Sequence, residues 1–139
     1  MGTLAKAVKE SGGRVYGVIP TYLRSGEGRF SLCDTLVLTG TLSERKKHMM
    51  DAADGFAVLP GGYGTLDEAF EVLTLRRHKL IERPVVFLNT GGFFDPLLEF
   101  LENISREGFI SNPVARDIYV TGTPEEAAAY LAKPGTEPS

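Results

Sequence analysis

Gly55-Phe56-Ala57-Val58-Leu59 runs directly into Pro60-Gly61-Gly62-Tyr63-Gly64-Thr65-Leu66-Asp67-Glu68. The first five residues carry no polar side chain, as expected of a short strand buried on both faces. The glycines impose a turn, and behind them residues 66–79 repeat apolar side chains at helical spacing. Working outward, the same alternation recurs along the chain. Strands are predicted at 14–19, 35–38, 55–59, 84–89 and 117–120, each bounded by Gly, Pro or polar residues. Helices are predicted at 3–11, 42–54, 66–79, 93–106 and 124–132, the last with Thr123 as N-cap and Pro124 in the first turn. Such an order implies an α/β domain with a mainly parallel sheet, helices on both faces, and ligands beyond the carboxyl ends of the strands. One domain over residues 1–132 and a flexible tail at 133–139 are expected from the length of 139 residues and the Pro/Gly-rich end.

Three glycines in four positions let backbone amides turn toward a ligand, and the helix that follows adds partial positive charge. The loop is therefore a candidate phosphate cradle, although it matches neither the dinucleotide G-x-G-x-x-G fingerprint nor the P-loop. A ligand-free strand-to-helix turn has the same local pattern. Glu68 also has two readings. Thr65-x-x-Glu68 is a capping box, in which the carboxylate only satisfies a helix amide. On the helical wheel, however, Leu66, Ala69, Phe70 and Leu73 form a core face, while Glu68, Val72 and Leu75 share another side. That second, partly apolar face is expected to be a subunit interface, with Glu68 at its edge beside the cradle.

Glu44-Arg45-Lys46-Lys47 opens another helix, with Thr41 as the predicted cap and Glu44 completing a capping box. Three cations in a first turn oppose the helix dipole at a cost of tenths of a kcal/mol each, which a bound anion would offset. A solvated basic turn is the alternative. Elsewhere the chemistry is sparse. His48 and His78 have no metal-ligand spacing, Cys33 has no nucleophile context, Asp54 and Asp95 read as turn or capping residues, and Phe93-Phe94 as core or interface aromatics.

The composition limits the partners. Fifteen basic and 18 acidic residues give a net charge of −3, so no global positive field exists to hold a nucleic-acid backbone or an anionic membrane. A lone cysteine excludes an intrachain disulfide framework, and neither an 18-residue apolar run nor a signal-peptide pattern is found, so the expected address is the cytoplasm.

The PGGYGTLDE segment, preceded by SERKKHMM, resembles the Lonely Guy family of cytokinin-activating phosphoribohydrolases, whose members were often labelled lysine decarboxylases. The likeness extends from Met1 to about Leu131. It includes Gly17-Val18-Ile19-Pro20 with Leu23 and Glu27, the Arg45-Lys46 pair, Thr74, Asn89 with Gly92-Phe93-Phe94-Asp95-Pro96, and Glu107-Gly108-Phe109-Ile110. The resemblance implies a Rossmann-like fold and a homodimer or larger assembly, with active sites between protomers. It also implies hydrolysis of the N-glycosidic bond of N6-substituted adenosine 5′-monophosphates to free base and ribose 5-phosphate, with no cofactor. Carried over by motif, Arg45 and Glu68 would be catalytic. Gly61, Gly62, Gly64 and Thr65 would hold phosphate, and Glu27, Lys46, Tyr63, Asp67 and Thr74 would help hold the nucleotide.

Two departures from the family pattern stand out. Family members carry a Trp, a Gln and a later His after the position of Thr74, on the base side and at assembly contacts; this sequence has Leu75-Arg76-Arg77-His78-Lys79-Leu80-Ile81. The family also places a strand–helix–strand unit of roughly 40 residues or more before the position of Met1-Gly2, which resembles the end of its glycine-rich turn. The first strand of that unit is normally central, so the strand at 14–19 is expected to lose a neighbour and the sheet to have a gap, or the remaining strands to rearrange. The alternative function is a non-catalytic nucleotide or cofactor carrier, or an inactive fragment of the same fold. A decarboxylase is disfavoured, because no feature marks a pyridoxal-phosphate lysine.

Overall fold

The computed structural model describes residues 2–23, 30–110 and 116–133, which form an α/β structure of parallel sheets and five helices. The chain divides into two compact units, Met1–Ala52 and Ala53–Ser139.

The first unit contains α1 (Gly2–Glu10), β1 (Tyr16–Pro20), β2 (Thr35–Thr39) and α2 (Leu42–Ala52). β1 and β2 pair in parallel, from Tyr16 opposite Thr35 to Pro20 opposite Thr39. Gly17 is required by close approach, since a Cβ there would lie 2.7 Å from the Cys33 Sγ. Asp34 ties the unit together by accepting from the Lys9 Nζ at 2.5 Å and the Val15 amide at 2.7 Å. These two donors, Lys9 first, hold its carboxyl below the ordinary carboxylate range. Among the described residues of this unit only Pro20 and Thr39 are buried, so its core is thin, in keeping with the marginal stability of an isolated two-stranded sheet.

The second unit holds β3 (Phe56–Val58), α3 (Tyr63–Arg77), β4 (Val85–Leu88), α4 (Asp95–Arg106), β5 (Tyr119–Thr121) and α5 (Pro124–Leu131). Its three strands are parallel in the order β3-β4-β5. β4 is central, which explains its unbroken apolar run: Val85, Val86 and Phe87 are fully buried. Val86 packs with Ala127 and Tyr130 of α5, where Tyr119 and Leu131 close the cluster. Phe87 meets Phe94 edge to face at 5.1 Å, fixing the entry to α4. Thr123 caps α5 through the Glu126 amide with Pro124 in the first turn, as predicted. α3 and α4 both end in Schellman turns, with Leu80 bonded back to Leu75 and Phe109 to Ile104. The left-handed residue is Gly108 after α4 but Lys79 after α3, at φ 56°. Among the described residues no helix is long and apolar enough to cross a membrane.

The predicted mainly parallel sheet is thus present as two sheets, one in each unit. All ten predicted elements occur, with boundaries moved by three residues or fewer.

Candidate active site

In parallel sheets all carboxyl ends share one edge, and in the second unit that edge carries the glycine loop after β3 and the Thr90–Gly92 turn after β4. α3 begins at Tyr63, three residues earlier than predicted, with Gly62 as its N-cap and no side-chain cap bond. Leu66 donates to the Gly62 carbonyl at 3.1 Å, so the amides of Tyr63, Gly64 and Thr65 precede it in the first turn, the arrangement that favours an anion. Thr65 lies inside the helix, and the capping-box reading of Thr65 and Glu68 is corrected. The extended Gly62 starts the helix, which no side-chain signal announces.

The three glycines differ in what they do. A Cβ on Gly61 would fall 2.2 Å from the Thr65 Oγ1, because the threonine folds back over the loop. At Gly62 and Gly64 a Cβ would meet nothing within 4 Å, and neither has a positive φ. Neither packing nor a positive φ requires glycine at these two positions, and its absence of a side chain leaves the backbone there open to close approach. Tyr63, between them, is 95% exposed.

Glu68 is half-buried and lies one turn below Gly64 and Thr65 on α3. Asp67 and Thr74 lie on a different line of the helix, about 100° around the axis from Glu68. Together with Phe70, Glu71 and Leu75 they line a shallow open groove. The Thr74 hydroxyl donates to its own helix at the Phe70 carbonyl, 2.7 Å away, which leaves its oxygen as an acceptor toward a ligand. The predicted faces of α3 are corrected here. Ala69 and Val72 are the buried residues and Phe70 is 39% exposed, so the buried stripe is rotated from the expected one. Several apolar residues on both flanks made the helical period ambiguous about which stripe goes inside.

Arg45 and Lys46 stand half-buried on α2 in the first unit. The helix start is built as expected at Thr41, whose Oγ1 accepts from the Glu44 amide at 3.1 Å, while Glu44 reaches the Gly40 amide at 2.7 Å. The Arg45 Nε donates to the Val18 carbonyl in the middle of β1, 3.0 Å away, which fixes the plane of the guanidinium. Lys47, the third cation of the run, pairs with Asp51 at 2.8 Å across one helical turn. Glu27 lies outside the described residues.

Sequence reasoning missed the architecture of the second loop on the edge. The Asn89 Nδ2 donates to the Asp95 Oδ1 and the Asn89 Oδ1 accepts from the Phe94 amide, both at 2.7 Å. Gly91 and Gly92 have φ of 64° and 73°, and a Cβ on Gly92 would lie 2.5 Å from the Asp95 carboxylate. The signal was Asn-x-Gly-Gly-x-x-Asp after a strand, legible as a turn but not as a cross-braced one.

A family model described as "Possible lysine decarboxylase" matches residues 1–131. The chain is 36% identical over 131 residues to a probable cytokinin riboside 5′-monophosphate phosphoribohydrolase of Oryza sativa subsp. japonica, covering 94% of this chain and 53% of that protein. It is 38% identical over 118 residues to a cytokinin riboside 5′-monophosphate phosphoribohydrolase of Arabidopsis thaliana, covering 85% of this chain and 55% of that protein. A protein of the same name from Rhodococcoides fascians is 38% identical over 135 residues, with 96% and 68% covered. The chain therefore spans about half the length of the plant relatives it matches.

Proposed function

We propose that this chain, which belongs to the Lonely Guy family matched by the possible lysine decarboxylase model, is a phosphoribohydrolase acting on a purine nucleoside 5′-monophosphate of the N6-substituted adenosine type. One observation carries the reading: an uncapped helix start with Gly62 and Gly64 open to close approach, and a carboxylate one turn behind it. The names of the relatives, cytokinin riboside 5′-monophosphate phosphoribohydrolases, support the substrate class.

In this reading the 5′-phosphate sits on the amides of Gly62, Tyr63, Gly64 and Thr65, where the helix dipole stabilises its charge. The C1′–N9 bond breaks with its electron pair leaving on the purine, and positive charge develops on the ribose. The Glu68 carboxylate stabilises that charge and takes a proton from the water whose oxygen bonds to C1′. The purine gains a proton, and the products are free base and ribose 5-phosphate. Arg45, its guanidinium plane set by the Val18 carbonyl, holds the nucleotide by forked hydrogen bonds, and Lys46, Asp67, Thr74 and Glu27 complete the binding set. The open α3 face containing Phe70 and Leu75 is the surface through which two copies associate. No cofactor is needed, and the site of action is the cytoplasm.

The test is to incubate the purified chain with AMP and with N6-isopentenyl AMP and follow free base and ribose 5-phosphate by chromatography. Release of both products in equal amounts supports the hydrolase, and the ratio of rates gives the base preference. Nucleotide binding without release would instead establish a carrier.

A further inference from the structure

We infer that Phe93 is a stacking platform for the purine base, a role that rests on the nucleotide reading above. Phe93 is 52% exposed, whereas the adjacent Phe94 is 1% exposed and wedged against Phe87. The two phenylalanines contact edge to face at 5.0 Å and 89°, so the buried ring sets the orientation of the exposed one. The backbone is fixed as well: Asn89 bridges Asp95 and the Phe94 amide, and Gly91 and Gly92 supply the two left-handed residues of the turn. A cross-braced turn that holds a large aromatic ring half in water is costly for a surface loop and useful for a ligand with a π-face.

Its place favours the same ligand. β3 and β4 are neighbours with Val58 opposite Phe87, so the glycine loop and the Asn89–Asp95 turn leave adjacent strands on one edge. A nucleotide whose phosphate sits on the first loop needs an aromatic or apolar surface for its base, and Phe93 is the exposed aromatic of the second. The competing role is that Phe93 begins an apolar stripe with Leu97, Phe100 and Ile104 of α4, in which Phe100 is 59% exposed, and serves assembly.

The experiment compares the full chain with Phe93→Ala, Phe93→Leu and Phe93→Tyr, measuring AMP turnover, inhibition by ribose 5-phosphate, and molar mass by light scattering. Loss of base stacking raises the KM for AMP roughly five- to tenfold in Phe93→Ala and Phe93→Leu, with Phe93→Tyr close to wild type. Inhibition by ribose 5-phosphate, which lacks the base, stays unchanged in all three. Phe93→Leu keeps the apolar bulk, so it reports on stacking even if Phe93→Ala folds poorly. An unchanged KM, an equal loss for AMP and ribose 5-phosphate, or a fall in molar mass overturns the platform. A wild-type chain that neither binds nor cleaves AMP overturns the nucleotide reading itself, and the platform with it.

Discussion

Replacing Gly64 by alanine should make the protein more stable and less active. Gly64 is the second residue of α3, its φ is not positive, and a Cβ there has no heavy atom within 4 Å. The folded chain therefore accepts the methyl group without strain. A glycine within a helix costs about 0.5–1 kcal/mol relative to alanine, through the freedom it loses on folding. With a urea slope of about 1–3 kcal/mol per M, the midpoint should rise by roughly 0.2–1 M. The opposite effect falls on catalysis, because the methyl group stands where a phosphate oxygen must approach the first-turn amides. Loss of one hydrogen bond to a charged group, about 1.5–3 kcal/mol, corresponds to roughly a ten- to hundredfold fall in kcat/KM. Urea denaturation and AMP turnover on the same preparation give both numbers. A destabilised variant would refute the packing argument, and a more stable variant with wild-type kcat/KM would refute the assignment of this loop to phosphate.

Further outcomes follow from the same geometry. Lys79 occupies the left-handed position that Gly108 fills after α4, so Lys79→Gly should stabilise the chain by about 1 kcal/mol in urea denaturation; a loss would contradict the strain assigned to φ 56°. Asp34 has its folded pKa depressed by Lys9 and the Val15 amide, so its contribution is full above the ordinary carboxylate range and disappears as pH falls through the folded value. Asp34→Asn should accordingly lower the urea midpoint at pH 7 and converge with wild type under strong acid; parallel curves at both pH values would remove the carboxylate from acid stability.

Most of the fold was legible because its signals are local. The unbroken apolar run of β4 announced a strand, and Thr123-Pro124 announced the start of α5 at the right residue. The glycine loop was legible as a strand-to-helix turn because glycine leaves a gap in any side-chain pattern. What the sequence withheld depended on conformation or on distant partners. An extended Gly62 moved the start of α3 and removed Thr65 from the cap, while the competing apolar flanks of α3 hid which stripe is buried and left Phe70 half in water. The bracing of Asn89 by Asp95 joins side chains six residues apart across a left-handed turn, and no periodicity encodes it.

The central claim is that the carboxylate of Glu68 does chemistry behind the phosphate cradle, and Glu68→Gln tests it most directly. The substitution keeps size and shape but removes the negative charge, so the side chain cannot take a proton or stabilise a cationic ribose. Turnover of AMP should fall by roughly 10²- to 10⁴-fold while AMP still binds by calorimetry with near wild-type affinity. Wild-type turnover by Glu68→Gln would contradict the account and leave Glu68 as a structural residue of α3.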